Sequence, residues 1–321
     1  MAEDFSLIDP RFTDPVSAAE YLESVRWPDG VVCAKCGESE REPYLLKGKS
    51  LKGRRVWKCR ACRKQFTVQV GTIFESSHVP LNKWLAAFYL LCSSKKGMSA
   101  HQLHRMLDVT YKTAWFMFHR IRETMKEPAF ADKLSGVVEA DETYIGGKRR
   151  NMHGKETRGR PPQKDGLKSK APVLSLVERG GRVRSQRVAN VTAKELGRVI
   201  DERVDINARL MTDELRSYER IGSFYADHKS ISHGRGEYAV GDVHVNTVEG
   251  YFSILKRGVN GVYHHVSRAH LDRYLTEFDF RYNRRGVSDS ARTISALQMA
   301  EGKRLTYRET SPQGRQEDKL S

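Results

Sequence analysis

The sequence predicts a mixed α/β architecture, with a cysteine-rich segment and a helical segment ahead of a domain of mingled strands and helices. Three observations carry this. Two C-x-x-C pairs, Cys33/Cys36 and Cys59/Cys62, bracket a stretch with short alternating strands and tight turns. Residues 81–125 read as helix through "LNKWLAAFYLLCSS", "MSAHQLHRML" and "TYKTAWFMFHRIRETM". From about residue 135, strand-like runs appear in "GVVEADETYIGG", "APVLSLVER", "RVRSQRVANV" and "NARLMTD", with helical stretches at 192–205, 214–221, 243–257 and 267–283. That mixture argues for an α/β or α+β domain.

Length and charge narrow the class. The 321 residues suggest about two domains, and 39% hydrophobic residues suffice for real cores. Lys and Arg outnumber Asp and Glu by 56 to 40, a net charge of +16. Such an excess favours polyanions, nucleic acid ahead of an anionic membrane surface. The N-terminus "MAEDFSLIDP" has no apolar leader, and the longest apolar run, "WLAAFYLLC" at 84–92, is too short to span a bilayer. The expectation is a soluble intracellular protein without membrane partners.

The first element is a helix within 1–30, with Asp14 at its N-cap, Pro15 at its first position, and Pro28 and Gly30 at its end. Residues 31–75 follow as a ribbon. Cys36 and Cys59 are separated by 22 residues, room for a hairpin between two knuckles. Four thiolates so spaced suit one tetrahedral zinc, in a structural role because no coordination position stays open. Cys92, in an apolar helix, reads as a buried bystander.

Residues 76–130 read as a helix-turn-helix-like unit. Ser99 and Thr110 suit N-caps, and Leu103, Met106 and Leu107 are expected to face Trp115, Phe118 and Ile121. Lys112, Thr113, Arg120 and Arg122 are expected on the outer face of the second helix, which makes Lys112 and Arg120 candidate DNA contacts. A packing unit with no DNA role would share this pattern.

Residues 131–300 hold the candidate chemistry. Asp141 and Asp213 each end an apolar run read as a strand, where a sheet would hold a carboxylate rigidly at an open edge. Asp213 could equally cap the helix that follows. Glu142 is expected to point to the opposite side of the strand from Asp141. In "HVNTVEGYFSILKRG", Asn246 and Glu249 could form a capping box. At 100° per residue, however, Asn246, Glu249, Ser253 and Lys256 share one side, and Val248, Tyr251, Phe252 and Leu255 the other. Three acids meeting at one spot require cations, and Mg²⁺ or Mn²⁺ takes carboxylate and phosphate oxygens. Two such ions suit an in-line phosphoryl displacement.

The 35 residues between Asp213 and Glu249, and the lysine seven beyond Glu249, resemble the DDE core of transposases and integrases on a ribonuclease-H-like fold. "ADETYIGGK", "TDEL", "HVNTVEGYFSILKRGVNGVYHHVS" and "YLTEFDFRYNRR" resemble one group, the bacterial insertion-sequence transposases with an N-terminal zinc ribbon (ISXO-two-like). The resemblance runs from about residue 12 to 297. It implies that Asp141, Asp213 and Glu249 hold two Mg²⁺ or Mn²⁺ ions and that Lys256 contacts DNA near the scissile phosphate. Some members use Asn in place of Glu. Glu249 is preferred here because a carboxylate binds Mg²⁺ better, which leaves Asn246 and His244 as supporting residues behind the ligands. The implied activity is cleavage at the element's terminal inverted repeats and joining of the 3′-hydroxyls to target DNA. The implied setting is the bacterial cytoplasm at the nucleoid, as a homodimer or larger assembly on double-stranded DNA. A zinc-ribbon regulator with an inactive core, and a nuclease without strand transfer, are the alternatives.

The basic segment 148–170 carries Arg149, Arg150, Arg158 and Arg160 and reads as a phosphate-clamping loop. The polar segment 301–321 reads as a flexible tail.

Overall fold

The computed structural model describes residues 4–48, 54–127, 132–146, 170–232, 234, 239 and 241–310. Arg149, Arg150, Arg158 and Arg160 of the basic segment lie outside them. The chain divides into two compact units, one of Met1–Lys126 with Arg284–Ser321, the other of Glu127–Asn283. The second unit therefore closes before the boundary at 300 that the sequence suggested, and residues 284–300 belong with the N-terminal unit.

In the N-terminal unit, α1 (Pro10–Thr13) leads into α2 (Pro15–Arg26). Asp14 caps α2 as expected, its carboxylate accepting from the Ser17 N–H at 2.6 Å. Strands β1 (Tyr44–Leu45), β2 (Trp57–Lys58) and β3 (Gln65–Phe66) form an antiparallel sheet in that order. The ribbon is tied to α2 by the Trp57 Nε1–H, which donates to Glu23 at 2.9 Å. Helix α3 (Leu81–Ser93) buries Trp84, Leu85, Phe88 and Leu91.

Helices α4 (Ala100–Leu107) and α5 (Tyr111–Thr124) have Ser99 and Thr110 as their caps, each accepting from the main-chain N–H three residues on. Asp108 turns the chain between them in the left-handed region, at φ 48°. Leu103, Phe118 and Ile121 pack inward as expected, but Met106 is exposed. Two more expectations fail on α5: Arg120 and Arg122 are buried rather than outward-facing. The Arg120 guanidinium donates to the carbonyls of Leu305 at 2.9 Å and Glu75 at 3.1 Å, so it serves the fold's interior and offers no outer face to DNA. Lys112 is exposed. Leu305 and Thr310 are buried and anchor the start of the segment read as a tail, while 311–321 lie outside the described residues. Helix α10 (Asp289–Gln298), which periodicity did not single out, packs against α3.

Among its described residues the second unit is built on a five-stranded sheet of β4 (Val137–Ile145), β5 (Ala171–Glu178), β6 (Val183–Arg187), β7 (Arg209–Thr212) and β8 (Asp227–Ser230). The spatial order is β6-β5-β4-β7-β8. β4, β5 and β6 pair antiparallel, while β7 pairs parallel to both β4 and β8. Side chains alternate across the sheet as a period of two requires. Val173 and Val177 join one cluster with α8 (Asn246–Gly258) and α9 (Leu271–Asn283), while Leu174 and Leu176 join another with α6 (Ala193–Arg203) and α7 (Arg216–Gly222). Helices thus cover both faces, and β4 is the central strand.

Candidate functional site

The four cysteines come together at the two turns of the ribbon. Cys33 Sγ lies 3.8 Å from Cys62 Sγ, and Cys36 Sγ lies 3.8 Å from Cys59 Sγ. All four sulfurs are within 4.8 Å of one another. Tetrahedral zinc with Zn–S near 2.3 Å separates its sulfurs by about 3.8 Å, so the donor set fits one zinc ion. In each knuckle a main-chain N–H points to the first sulfur: Lys35 N–H to Cys33 Sγ and Cys62 N–H to Cys59 Sγ, both at 3.4 Å. Each pair is followed by a left-handed residue, Gly37 at φ 75° and Arg63 at φ 56°, which turns the chain back towards the sheet.

In the second unit, strand register assembles an acidic site. β4 and β7 pair from Val137↔Arg209 to Glu139↔Met211. Carried two residues further, the same register sets Asp213 beside Asp141. Asp141 lies in the middle of β4, which continues to Ile145, and does not end the strand as the sequence suggested. Asp213 follows the last residue of β7 and accepts from the Leu215 N–H at 3.0 Å. It does not cap α7, whose N-cap is Leu215.

Glu142 completes the group, contrary to expectation: ligand oxygens of Asp141, Glu142 and Asp213 all lie within 4.8 Å of one another. β7 stops at Thr212, so among the described residues the edge of β4 beyond Glu139 has no paired neighbour there, and the Glu142 side chain reaches the same spot. The Tyr218 hydroxyl holds Glu142 at 2.9 Å. The residue pattern "EADE" was the available signal, but strand alternation argued against it.

The electrostatics match the crowding. Burial first, then the charges of Glu142, Asp213 and Glu249, push the Asp141 carboxyl up to about 7, against a hydrogen bond from the Glu142 N–H. Burial also raises Glu142, with Tyr218 opposing. Three oxygens so close fit the oxygen coordination of a hard divalent cation.

Glu249 stands in the first turn of α8, exposed, outside that three-residue group but near enough to act on Asp141 through its charge. The helix faces divide as predicted: Val248, Tyr251, Phe252 and Leu255 are buried, and Asn246, Glu249 and Lys256 are exposed. Lys256 borders a cleft of about 330 Å³ with Thr143, Lys170 and Asn260. There is no capping box, since Val245 occupies the N-cap and Asn246 is the first helical residue. His244 Nδ1 lies 3.2 Å from a Glu139 oxygen.

Comparison with known proteins bears on both sites. Residues 14–65, which contain the four cysteines, match the transposase zinc-ribbon domain. Residues 133–283, which contain Asp141, Glu142, Asp213 and Glu249, match the ISXO2-like transposase domain. A Halobacterium salinarum protein described as an uncharacterized protein in transposable element ISH50 is 31% identical over 281 residues, 84% of this chain and 91% of that one. The chain belongs to the ISXO2-like DDE transposases. In this transposase the zinc ribbon and the acidic group thus fall inside the two matched domains, one in each compact unit. Among the described residues no helix is long and apolar enough to cross a membrane.

Proposed function

We propose that the chain cuts phosphodiester bonds at the terminal inverted repeats of an insertion sequence and joins the freed 3′-hydroxyls to target DNA. The observation that carries this is the meeting of Asp141 and Asp213 at the open edge of β4, with Glu249 acting on the same spot from α8. The sheet order, with three antiparallel strands followed by two parallel ones, supports a ribonuclease-H-like core. Asp141, Asp213 and Glu249 would hold Mg²⁺ or Mn²⁺. A divalent cation held there would supply activation of an attacking oxygen and stabilisation of the leaving one.

The chain's own residues have distinct tasks. Asp141 is fixed by the central strand, and Asp213, the first residue past β7, is held there by the Leu215 N–H. Lys256, two turns beyond Glu249 on the same exposed stripe, meets a phosphate of the bound strand. Lys112 and the arginines at 149, 150, 158 and 160 contact the DNA backbone, which fits the net charge of +16. The first step breaks a P–O bond with water and leaves a 3′-hydroxyl. The second exchanges one phosphodiester for another, with no external energy source. Two ends must meet, so the working form is a dimer or larger assembly on DNA.

The test offers labelled element ends and a plasmid target to the full-length protein with Mg²⁺. Joined product supports this reading. Cleavage without joining makes the protein a nuclease, and tight binding with neither product makes it a regulator.

A further inference from the structure

Helix α8 carries Glu249 yet has no side-chain cap of its own, since Val245 stands at its N-cap. Its first-turn N–H groups, which lack partners within the helix and form the positive end of its dipole, are met instead by a residue from the central strand. Glu139 lies on β4, two residues before Asp141, and is fully buried. Its Oε2 accepts from the N–H groups of Thr247 at 2.8 Å and Val248 at 3.0 Å, while its Oε1 accepts from the Thr247 hydroxyl at 2.8 Å. The Arg179 Nε–H donates to the same Oε1 at 2.6 Å. Arg179 also donates to the carbonyls of Asp242 and His244, both at 2.8 Å, and so holds the segment that enters the helix.

A buried carboxylate persists only when its charge and lone pairs are met, and here an arginine and the helix N-terminus meet them. The same bonds tie the first turn of α8 to the strand that bears Asp141. We propose that Glu139 is a positioning residue: it fixes Glu249 relative to Asp141 by bolting the start of α8 to β4. This rests on the reading that Asp141, Asp213 and Glu249 bind divalent cations. It assigns a task to a glutamate that touches neither DNA nor the reacting atoms. A rigid support of this kind matters because small errors in the placement of a ligand weaken a metal site.

The test uses the full-length protein, Mn²⁺ as probe and a labelled end duplex. Glu139→Gln keeps the shape but replaces one acceptor oxygen with an amide. Mn²⁺ affinity should fall roughly 10–100-fold. The kcat for end cleavage should fall in parallel, KM for the duplex should stay unchanged, and excess Mn²⁺ should restore part of the rate. Thr247→Ala, which removes only the hydroxyl bond, should shift both readouts in the same direction by less, and it decides the matter if Glu139→Gln does not fold. A folded Glu139→Gln protein with unchanged Mn²⁺ affinity and kcat overturns the proposal, whatever its melting temperature. Glu249→Gln separates the two claims. If it loses Mn²⁺ binding and cleavage while Glu139→Gln keeps them, positioning alone fails. If Glu249→Gln keeps both, the ion-binding reading fails and positioning with it.

Discussion

Tyr218 donates its buried hydroxyl to Glu142 at 2.9 Å, and so holds a carboxylate against Asp141 and Asp213 that strand alternation alone would have turned away. A fully buried phenol satisfied by a carboxylate is a rigid support. If that carboxylate contributes to the cation site, Glu142→Gln should weaken Mn²⁺ binding and end cleavage by about 10–100-fold. Tyr218→Phe should move both in the same direction, with part of its effect coming from Glu142's freed side chain. A bystander Glu142 would leave the Mn²⁺ titration of Glu142→Gln superimposable on that of the unmodified protein.

Asp141 carries a stability cost that follows from its place. Its neighbours are acidic and it is partly withdrawn from water, so its ionised form is disfavoured. Asp141→Asn removes one of the crowded charges. In chelator at pH 8 the variant should melt at a higher temperature than the unmodified protein, while losing both end cleavage and the upward shift in melting temperature that Mg²⁺ confers. Thermal melts with and without Mg²⁺ check this, and a variant less stable in chelator would remove the electrostatic argument.

Lys112 and Arg120 stand on the same helix and should behave as opposites. Exposed Lys112 has no role in the interior, so Lys112→Ala should leave the melting temperature alone and lower the salt slope of DNA binding by about 1. Arg120 satisfies two main-chain carbonyls from a buried position. Arg120→Ala should destabilise by about 1–3 kcal/mol, the cost of stranding those acceptors, and leave the salt slope of the folded fraction unchanged. Melting curves and binding isotherms at several salt concentrations separate the two.

The difference between those residues shows what the sequence could reveal. Motif spacing found the cysteine set, because two knuckles need four thiolates at short range. Period counting found α8 and its two faces, since Val248, Tyr251, Phe252 and Leu255 mark a buried stripe. Register brought Asp213 beside Asp141, and register is a long-range property that no local window contains. β8 leaves little sequence signal because "DHKS" is polar and lies at the sheet's edge, paired among the described residues with β7. Arg120 defies local reading because a charged residue reads as surface until a carbonyl elsewhere in the chain is known to need it. Glu139 was missed for the same reason, since its partners lie on α8 and at Arg179, far along the chain.

Asp279 gives a pH dependence that is independent of catalysis. Its carboxyl accepts from the Tyr251 hydroxyl at 2.5 Å and the Ser185 N–H at 2.7 Å. Burial nonetheless pushes it up to about 7 from 3.8, with those hydrogen bonds opposing. Between those two values the folded protein retains a proton that the unfolded chain has lost, so stability falls as pH rises through that window and the penalty is fully present above it. Asp279→Asn should flatten the decline. The comparison belongs in the Asp141→Asn background, where the other carboxyl raised to about 7 is gone. Melting temperatures from pH 5 to 8 should fall less steeply with Asn at 279 than with Asp. Parallel curves would mean that the Asp279 carboxyl is already ionised in the fold at pH 5, stabilised by Tyr251 and Ser185 beyond the cost of its burial.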